Sequence, residues 1–234
     1  MRILGVIPAR GGSKSVPKKN IKMLAGRPLI AWSIEVANQS KLTRVILSTD
    51  SEEIADIGRH EGADVPFIRP SYLATDTANA VPVMQHAIKE CEKSDGKYDF
   101  VMMLQPTSPM RLTKDIDCAI NYLSEHSVVD SVITLTTASE YPQRMKYLDE
   151  EGMIEHPPFC EAYENQPRQE LRPIYQKNGS IYLTRRDVLM NQNSFLGSKS
   201  YGLFITEKRS ANIDTMFDFE IADLIMKNFE WRKW

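Results

Sequence analysis

Between Arg10 and Asn20 the sequence runs RGGSKSVPKKN, with four cations (Arg10, Lys14, Lys18, Lys19) and no acid. Gly11 and Gly12 let the backbone approach a bulky anion, because neither carries a Cβ. Such a charge density suits a triphosphate, whose charge must be neutralised where phosphoryl or nucleotidyl groups are transferred. The run is not a P-loop: GGSK stands in the wrong register, and Pro17 interrupts the path into a helix. A G-x-G-x-x-G fingerprint is also missing. The competing reading is a solvated basic loop, against which the two glycines and the apolar run before them weigh. Asn20 carries both a donor and an acceptor, so it can read a base edge or cap a turn.

The elements that must position this loop are legible around it. Ile3 to Pro8 is a continuous apolar run, as in a strand buried on both faces. Residues 28–39 read as a helix with Pro28 in its first turn. Arg44 to Thr49 is a second strand, and Asp50 and Ser51 are placed to cap the acidic helix that Gly62 ends. Asp64 to Ile68 reads as a short third strand. Helices are expected over 80–93 and 113–124, strands over Phe100 to Leu104, Ser131 to Leu135, Ser180 to Leu183 and Tyr201 to Ile205, and a final helix over Phe217 to Phe229. Strands alternating with helices imply βαβ units and a mostly parallel sheet. From about Thr136 to Gln176 the alternation breaks around Pro142, Pro157, Pro158, Pro167 and Pro173, which reads as an insertion leaving the sheet as a hairpin arm.

Composition narrows the class. The chain has 234 residues, 29 Lys+Arg against 31 Asp+Glu, and 42% hydrophobic residues. The balance argues against a nucleic-acid binder, which would show a basic excess. The apolar content argues against disorder. A chain of this length buries roughly 70–75% of its unfolded surface and needs no staples. No run approaches the roughly 20 apolar residues of a membrane span. Ile3 to Ala9 is followed by a basic loop and not a cleavage site, so a signal peptide is not expected and a cytoplasmic protein is. Cys91, Cys118 and Cys160 are odd in number and far apart; with the four scattered histidines they read as isolated core or surface residues.

Further motifs recur along the chain: STDSEEIA (48–55), RPSYLATDTA (69–78), LQPTSPMR (104–111), PRQELRP (167–173), NGSIYLT (178–184) and NIDTMFDFEIA (212–222). With IPARGGSKSVPKKNIKMLAGRPL at the start, their order and spacing resemble the acylneuraminate cytidylyltransferases over essentially the whole chain. These are the synthetases of CMP-sialic acid and of its legionaminic and pseudaminic relatives. The resemblance implies an α/β, three-layer Rossmann-like nucleotidyltransferase fold, a single domain over 1–234 with 139–175 as an inserted dimerisation arm, and a homodimer. It implies transfer of CMP from CTP to the anomeric 2-hydroxyl of a nonulosonic acid, with Mg²⁺ as cofactor. No protein nucleophile is needed, so the lack of a Ser-His-Asp or Cys-His constellation is no obstacle.

The family pattern also assigns roles. Arg10 and Lys19 contact the phosphates, with Lys14 and Lys18 as lesser members, and Lys19, Arg10 and Asp214 form the catalytic set. Ala9, Gly11, Gly12, Ser13, Asn20, Arg69, Thr77 and Ala78 complete the nucleotide site. Thr75, Asp76 and Thr77 offer polar partners to cytidine or, alternatively, cap the helix over 80–93; Ala80 stands where a relative has serine. Gln105, Arg144, Arg168, Tyr182 and Phe195 fall at sugar-contacting positions, the arginines to meet a C1 carboxylate and Phe195 to serve a neighbouring subunit. Core packing is the alternative for both aromatics, and a structural role is the alternative to ligand contact for Arg111. Asp214 and Asn212 stand where relatives carry Asp-x-Asp metal ligands; Asn212 offers a carbonyl oxygen but no charge, and Asp218 is a reserve. The rival readings are the same chemistry on Kdo or a sugar 1-phosphate, and a nucleotide-binding protein without turnover.

Overall fold

The computed structural model describes residues 1–160, 162–163 and 165–234. Its first strand, β1 (Ile3–Pro8), is followed by the basic loop and a two-residue hairpin, β2 (Met23–Leu24) and β3 (Arg27–Pro28). Then come α1 (Leu29–Asn38), β4 (Arg44–Ser48), α2 (Glu52–His60), α3 (Ala80–Asp95), β5 (Phe100–Met103), α4 (Thr113–Glu125) and β6 (Ser131–Thr137). The arm holds β7 (Tyr147–Leu148) and β8 (Ile154–Glu155), paired antiparallel. The chain closes with β9 (Tyr175–Arg185), α5 (Arg186–Asn191), β10 (Ser200–Phe204) and α6 (Met216–Asn228).

Six strands form one sheet in the order β10-β6-β9-β5-β1-β4. The pairs β10–β6, β5–β1 and β1–β4 are parallel, and β9 runs antiparallel to both of its neighbours. Alternation along each strand splits the core into two layers. Ile3, Ile7, Leu47 and Leu183 pack with Ile30 and Ile34 of α1, Ile54 of α2 and Ile116 and Ile120 of α4. Leu4, Val6, Ile46, Val101 and Met103 pack on the other face with Met84, Ala87 and Ile88 of α3 and Leu189 of α5. The result is a three-layer α/β sandwich with a mostly parallel sheet. A third cluster seats α6 through Phe219, Ala222 and Met226, together with Trp231, on Val16, Leu29 and Ile213. That cluster ties the chain's last helix to the basic loop. No described helix is long and apolar enough to cross a membrane.

The structure corrects several local expectations. Asp64 to Ile68 is not a strand; it touches the sheet only through the isolated bridges Ile46↔Asp64 and Thr49↔Ile68. Pro66 lies between them and has no N–H to give to a ladder. Only Ser51 caps α2, accepting from the Ile54 amide at 3.4 Å; Asp50 is engaged elsewhere. The six-residue α5 has no counterpart in the sequence reading. The last residue of the 139–175 stretch is already in β9, opposite Thr137. Within that stretch Met145, Tyr147, Leu148, Met153 and Ile154 are all more than half exposed.

Candidate active site

In parallel sheets, ligands gather at the carboxyl ends of the strands, where the order of connections reverses. The chain runs from β1 to β4 on one side and then crosses to β5 on the other, so the reversal lies between β1 and β5. A cavity of about 470 Å³ opens there. Its walls include Pro8 at the end of β1, Arg10, Ser13, Lys19 and Asn20 of the basic loop, and Arg69 and Asp76 from the connection after β4. Met103 at the end of β5, Gln105, Pro106 and Thr107 beyond it, and Asp214 complete the lining. Because β9 is reversed, its early residues reach this same end of the sheet, which brings Gly179 beside Gln105.

The basic loop is held open by its own polar groups. Asn20 is nearly buried and donates its amide to the Arg10 carbonyl at 2.9 Å. The Gly11 amide donates to Asp50 Oδ1 at 3.0 Å. Lys19 reaches across to α6's entry and donates to the Ile213 carbonyl at 2.8 Å. Its amine is depressed below the ordinary lysine range, chiefly by lost hydration; Asp214 pulls it back up, Arg10 pushes it down and Asp218 again raises it. Arg10 donates to the Thr75 carbonyl at 2.8 Å and pairs with Asp76 at 3.1 Å. Lys14 pairs with the other Asp76 oxygen at 2.5 Å.

Lys18 departs from this group. The chain is in the left-handed region at this residue, with φ of 52°, and its amine pairs with Glu53 of α2 at 2.7 Å. It therefore faces away from the cavity that its neighbour Lys19 lines. Arg69 is 4% exposed, and its Nε has no hydrogen-bond partner. Its closest anion is Asp50 at 3.5 Å, and burial lowers its pKa. A buried guanidinium with an unspent donor is costly unless a ligand group meets it. Thr77 and Asp76 do not cap α3; Asn79 does, accepting from the Val81 amide at 3.0 Å.

Under Gln105 lies a rigid support. Arg111 is 1% exposed and donates to the Ser180 carbonyl (2.7 Å), the Gln105 carbonyl (2.8 Å) and the Ser33 hydroxyl (3.1 Å). All of its reach is spent inside the protein, so Arg111 is a scaffold residue. A Cβ at Gly179 would stand 2.8 Å from Gln105 Oε1 and 3.1 Å from Ser108 Oγ, and the residue has φ of +75°. Glycine is needed there on both counts.

Asn212 donates its amide to Asp214 Oδ2 at 2.6 Å, while its carbonyl oxygen faces Gly179. In this arrangement Asn212 orients the Asp214 carboxylate instead of presenting its oxygen to the cavity. Asp218 is committed to a capping box, accepting from the Thr215 amide at 2.7 Å and the Asp214 amide at 3.1 Å. Among the described residues no cluster of three or more His, Cys, Asp or Glu could hold a metal.

The site therefore joins Arg10, Ser13, Lys19, Asn20, Arg69, Ala78, Gln105 and Asp214. Ala9, Gly11, Gly12, Lys14 and Thr77 lie in the adjoining loops without lining it. Tyr182 pairs in register with Met103 of the wall and packs against Phe195, ring centroids 5.5 Å apart. Both aromatics belong to the edge of the core on the α3 side. Arg144 donates to the Gln166 carbonyl at 3.0 Å, and Arg168 lies over the Tyr141 ring and donates to the Ala138 carbonyl at 3.3 Å. Both sit on the arm, outside the cavity. Ser15, Val83 and Pro106 also line the cavity, and Asp50 meets Gly11 and Arg69 beside it; of these only Asp50 is legible in the sequence, from its place at the carboxyl end of a strand.

This fold and this sequence are similar to those of known proteins. A family model described as cytidylyltransferase matches residues 4–217, and the chain belongs to that family. It is a nucleotidyltransferase. It is 36% identical over 233 residues to a CMP-N,N'-diacetyllegionaminic acid synthase of Legionella pneumophila, covering 97% of each chain. It is 33% identical over 231 residues to a pseudaminic acid cytidylyltransferase of Campylobacter jejuni, again covering 97% of each. An N-acylneuraminate cytidylyltransferase of Streptococcus agalactiae is 32% identical over 222 residues, and there the match spans 52% of the relative. Among solved structures, CMP:2-keto-3-deoxy-manno-octonic acid synthetase in complex with CTP superposes with a TM-score of 0.71 at 18% identity, covering 97% of this chain and 98% of that one.

Proposed function

We propose that this chain transfers CMP from CTP to the anomeric 2-hydroxyl of a nonulosonic acid and releases pyrophosphate. The observation that carries the reading is a cavity at the sheet's switch point lined by Arg10, Lys19, Arg69 and Asp214. The relatives named for legionaminic, pseudaminic and N-acylneuraminic acids support the acceptor class.

In this reading Arg10 and Lys19 meet the phosphates, and Arg69 directs its unspent donor at the nucleotide. The acceptor hydroxyl oxygen attacks the α-phosphorus in line, the bond from that phosphorus to the bridging oxygen breaks as pyrophosphate departs, and the hydroxyl proton is released to solvent. Positioned cations stabilise the charge that develops on the phosphates, and positioning removes the entropy of encounter. Lys19 suits the task because the Ile213 carbonyl fixes its amine in advance. Gln105, braced by Arg111, orients the sugar. The donor set fits Mg²⁺: one carboxylate, Asp214, steadied by Asn212, with phosphate oxygens and water as the remaining ligands. When bound, that ion would neutralise phosphate charge.

The cations lining the cavity all lie toward the proposed nucleotide end, whereas a C1 carboxylate calls for an arginine of its own. Arg144 and Arg168 lie on the arm, whose apolar side chains are exposed. We therefore propose a homodimer in which each arm serves its partner's acceptor site. Steady-state kcat/KM for sialic, legionaminic and pseudaminic acids, with Kdo and a sugar 1-phosphate as controls, tests the acceptor class. One of the three nonulosonic acids should exceed both controls by at least about tenfold, roughly the scale of one net hydrogen bond. A control that matches them contradicts the reading.

A further inference from the structure

Asp76 stands between two cations of the basic loop. Its Oδ1 is 3.1 Å from Arg10 Nη1 and its Oδ2 is 2.5 Å from Lys14 Nζ. One carboxylate thus spans both cations with its two oxygens, as a pair of phosphate oxygens would. Its neighbourhood gives it no structural duty. The cap of α3 is Asn79, and the turn over Thr75–Ala78 is closed by the Ala78 amide donating to the Thr75 carbonyl at 3.1 Å. Asp76 is the one Asp, Glu, Lys or Arg between Arg69 and Lys89. It lines the cavity together with Arg10.

We propose that Asp76 is a built-in counter-anion that a nucleoside triphosphate displaces from Arg10 and Lys14, and that returns to them as pyrophosphate leaves. The inference rests on the reading that polyphosphate occupies this end of the cavity. Displacement is cheap, because the Asp76 side chain is 42% exposed and that of Lys14 84%, and exposed ion pairs are weak. A triphosphate brings more charge than one carboxylate and wins the exchange. Pyrophosphate, once free of the nucleoside, loses the contacts that anchored it, and the carboxylate then competes for the same two cations. Asp76 accordingly lowers affinity for every ligand that reaches both cations, and leaves alone a ligand that does not.

Calorimetric titration of CTP, pyrophosphate and CMP into the wild-type protein and Asp76→Asn tests this. The variant keeps the side chain's size and removes its charge. It should bind CTP and pyrophosphate about 3- to 10-fold more tightly, the scale of two exposed ion pairs. CMP, which lacks the β- and γ-phosphates that the proposal seats on these two cations, should bind within about twofold of wild type on the same scale. Asp76→Glu should restore the wild-type values, and Asp76→Ser, run in parallel, should match Asp76→Asn. Unchanged or weaker CTP and pyrophosphate binding in both neutral variants overturns the proposal, as does equal tightening for CMP. Failure of the wild-type protein to bind CTP would instead overturn the functional reading beneath it.

Discussion

At the scale of single residues, Lys19 carries the heaviest charge of the account. Removing one preorganised donor to a developing oxyanion costs about 10²–10³ in kcat, and Lys19→Ala should fall in that range, read by pyrophosphate release. Because its amine is depressed by burial, the alkaline limb of kcat/KM for CTP should lie below the 10.5 of an ordinary lysine, since the protonated form binds phosphate. Lys19→Arg should move that limb upward, because guanidinium stays charged. A limb that ignores this substitution assigns the titration to another group. Arg111 makes a contrasting prediction. Arg111→Met removes the donor to the buried Ser180 carbonyl and leaves a gap in the packing, and should cost about 2–4 kcal/mol in urea unfolding. The sequence reading was least secure at this scale. Four cations in ten residues do not reveal that the left-handed backbone at Lys18 turns its amine to Glu53. Nor do they reveal that Asp76 answers two of the others.

At the scale of elements, the sheet and most helices were legible because their apolar periodicities are long and their caps are in place. Direction was not legible: the apolar run in β9 reads alike in either sense, and only its return from the arm makes it antiparallel. That reversal matters, since it delivers Gly179 to the site. Gly179→Ala pushes a methyl against Gln105 and forces an unfavourable φ. It should raise the acceptor KM several-fold more than the CTP KM, as loss of sugar positioning would. The false strand at Asp64 to Ile68 came from an apolar run whose Pro66 blocks pairing, and α5 is too short to show a period. Asn79→Ala should cost α3 about 1 kcal/mol of cap, visible in unfolding midpoints with activity retained.

For the whole molecule, the hairpin of the arm is where large apolar side chains stay exposed on the single chain. Tyr147, Leu148, Met153 and Ile154 are exposed on its hairpin, with Leu148 and Ile154 paired across it, and exposed apolar surface of this kind marks interfaces. Leu148→Asp combined with Ile154→Asp should yield a monomer by light scattering. The same variant should keep CTP binding and lose acceptor turnover, because Arg144 and Arg168 would no longer reach a second site. Charge tells a similar story: 29 cations against 31 acids leave the molecule near neutral, yet the cavity gathers Arg10, Lys19 and Arg69 at one end. The central claim is that this cavity performs CMP transfer to a nonulosonic acid, and its most direct test is pyrophosphate release by the purified protein with CTP, Mg²⁺ and each of the three acids. Release with at least one acid, absent without acceptor and lowered about 10²-fold or more in Lys19→Ala, is the predicted result; no release with any of the three, or undiminished release from Lys19→Ala, would contradict it.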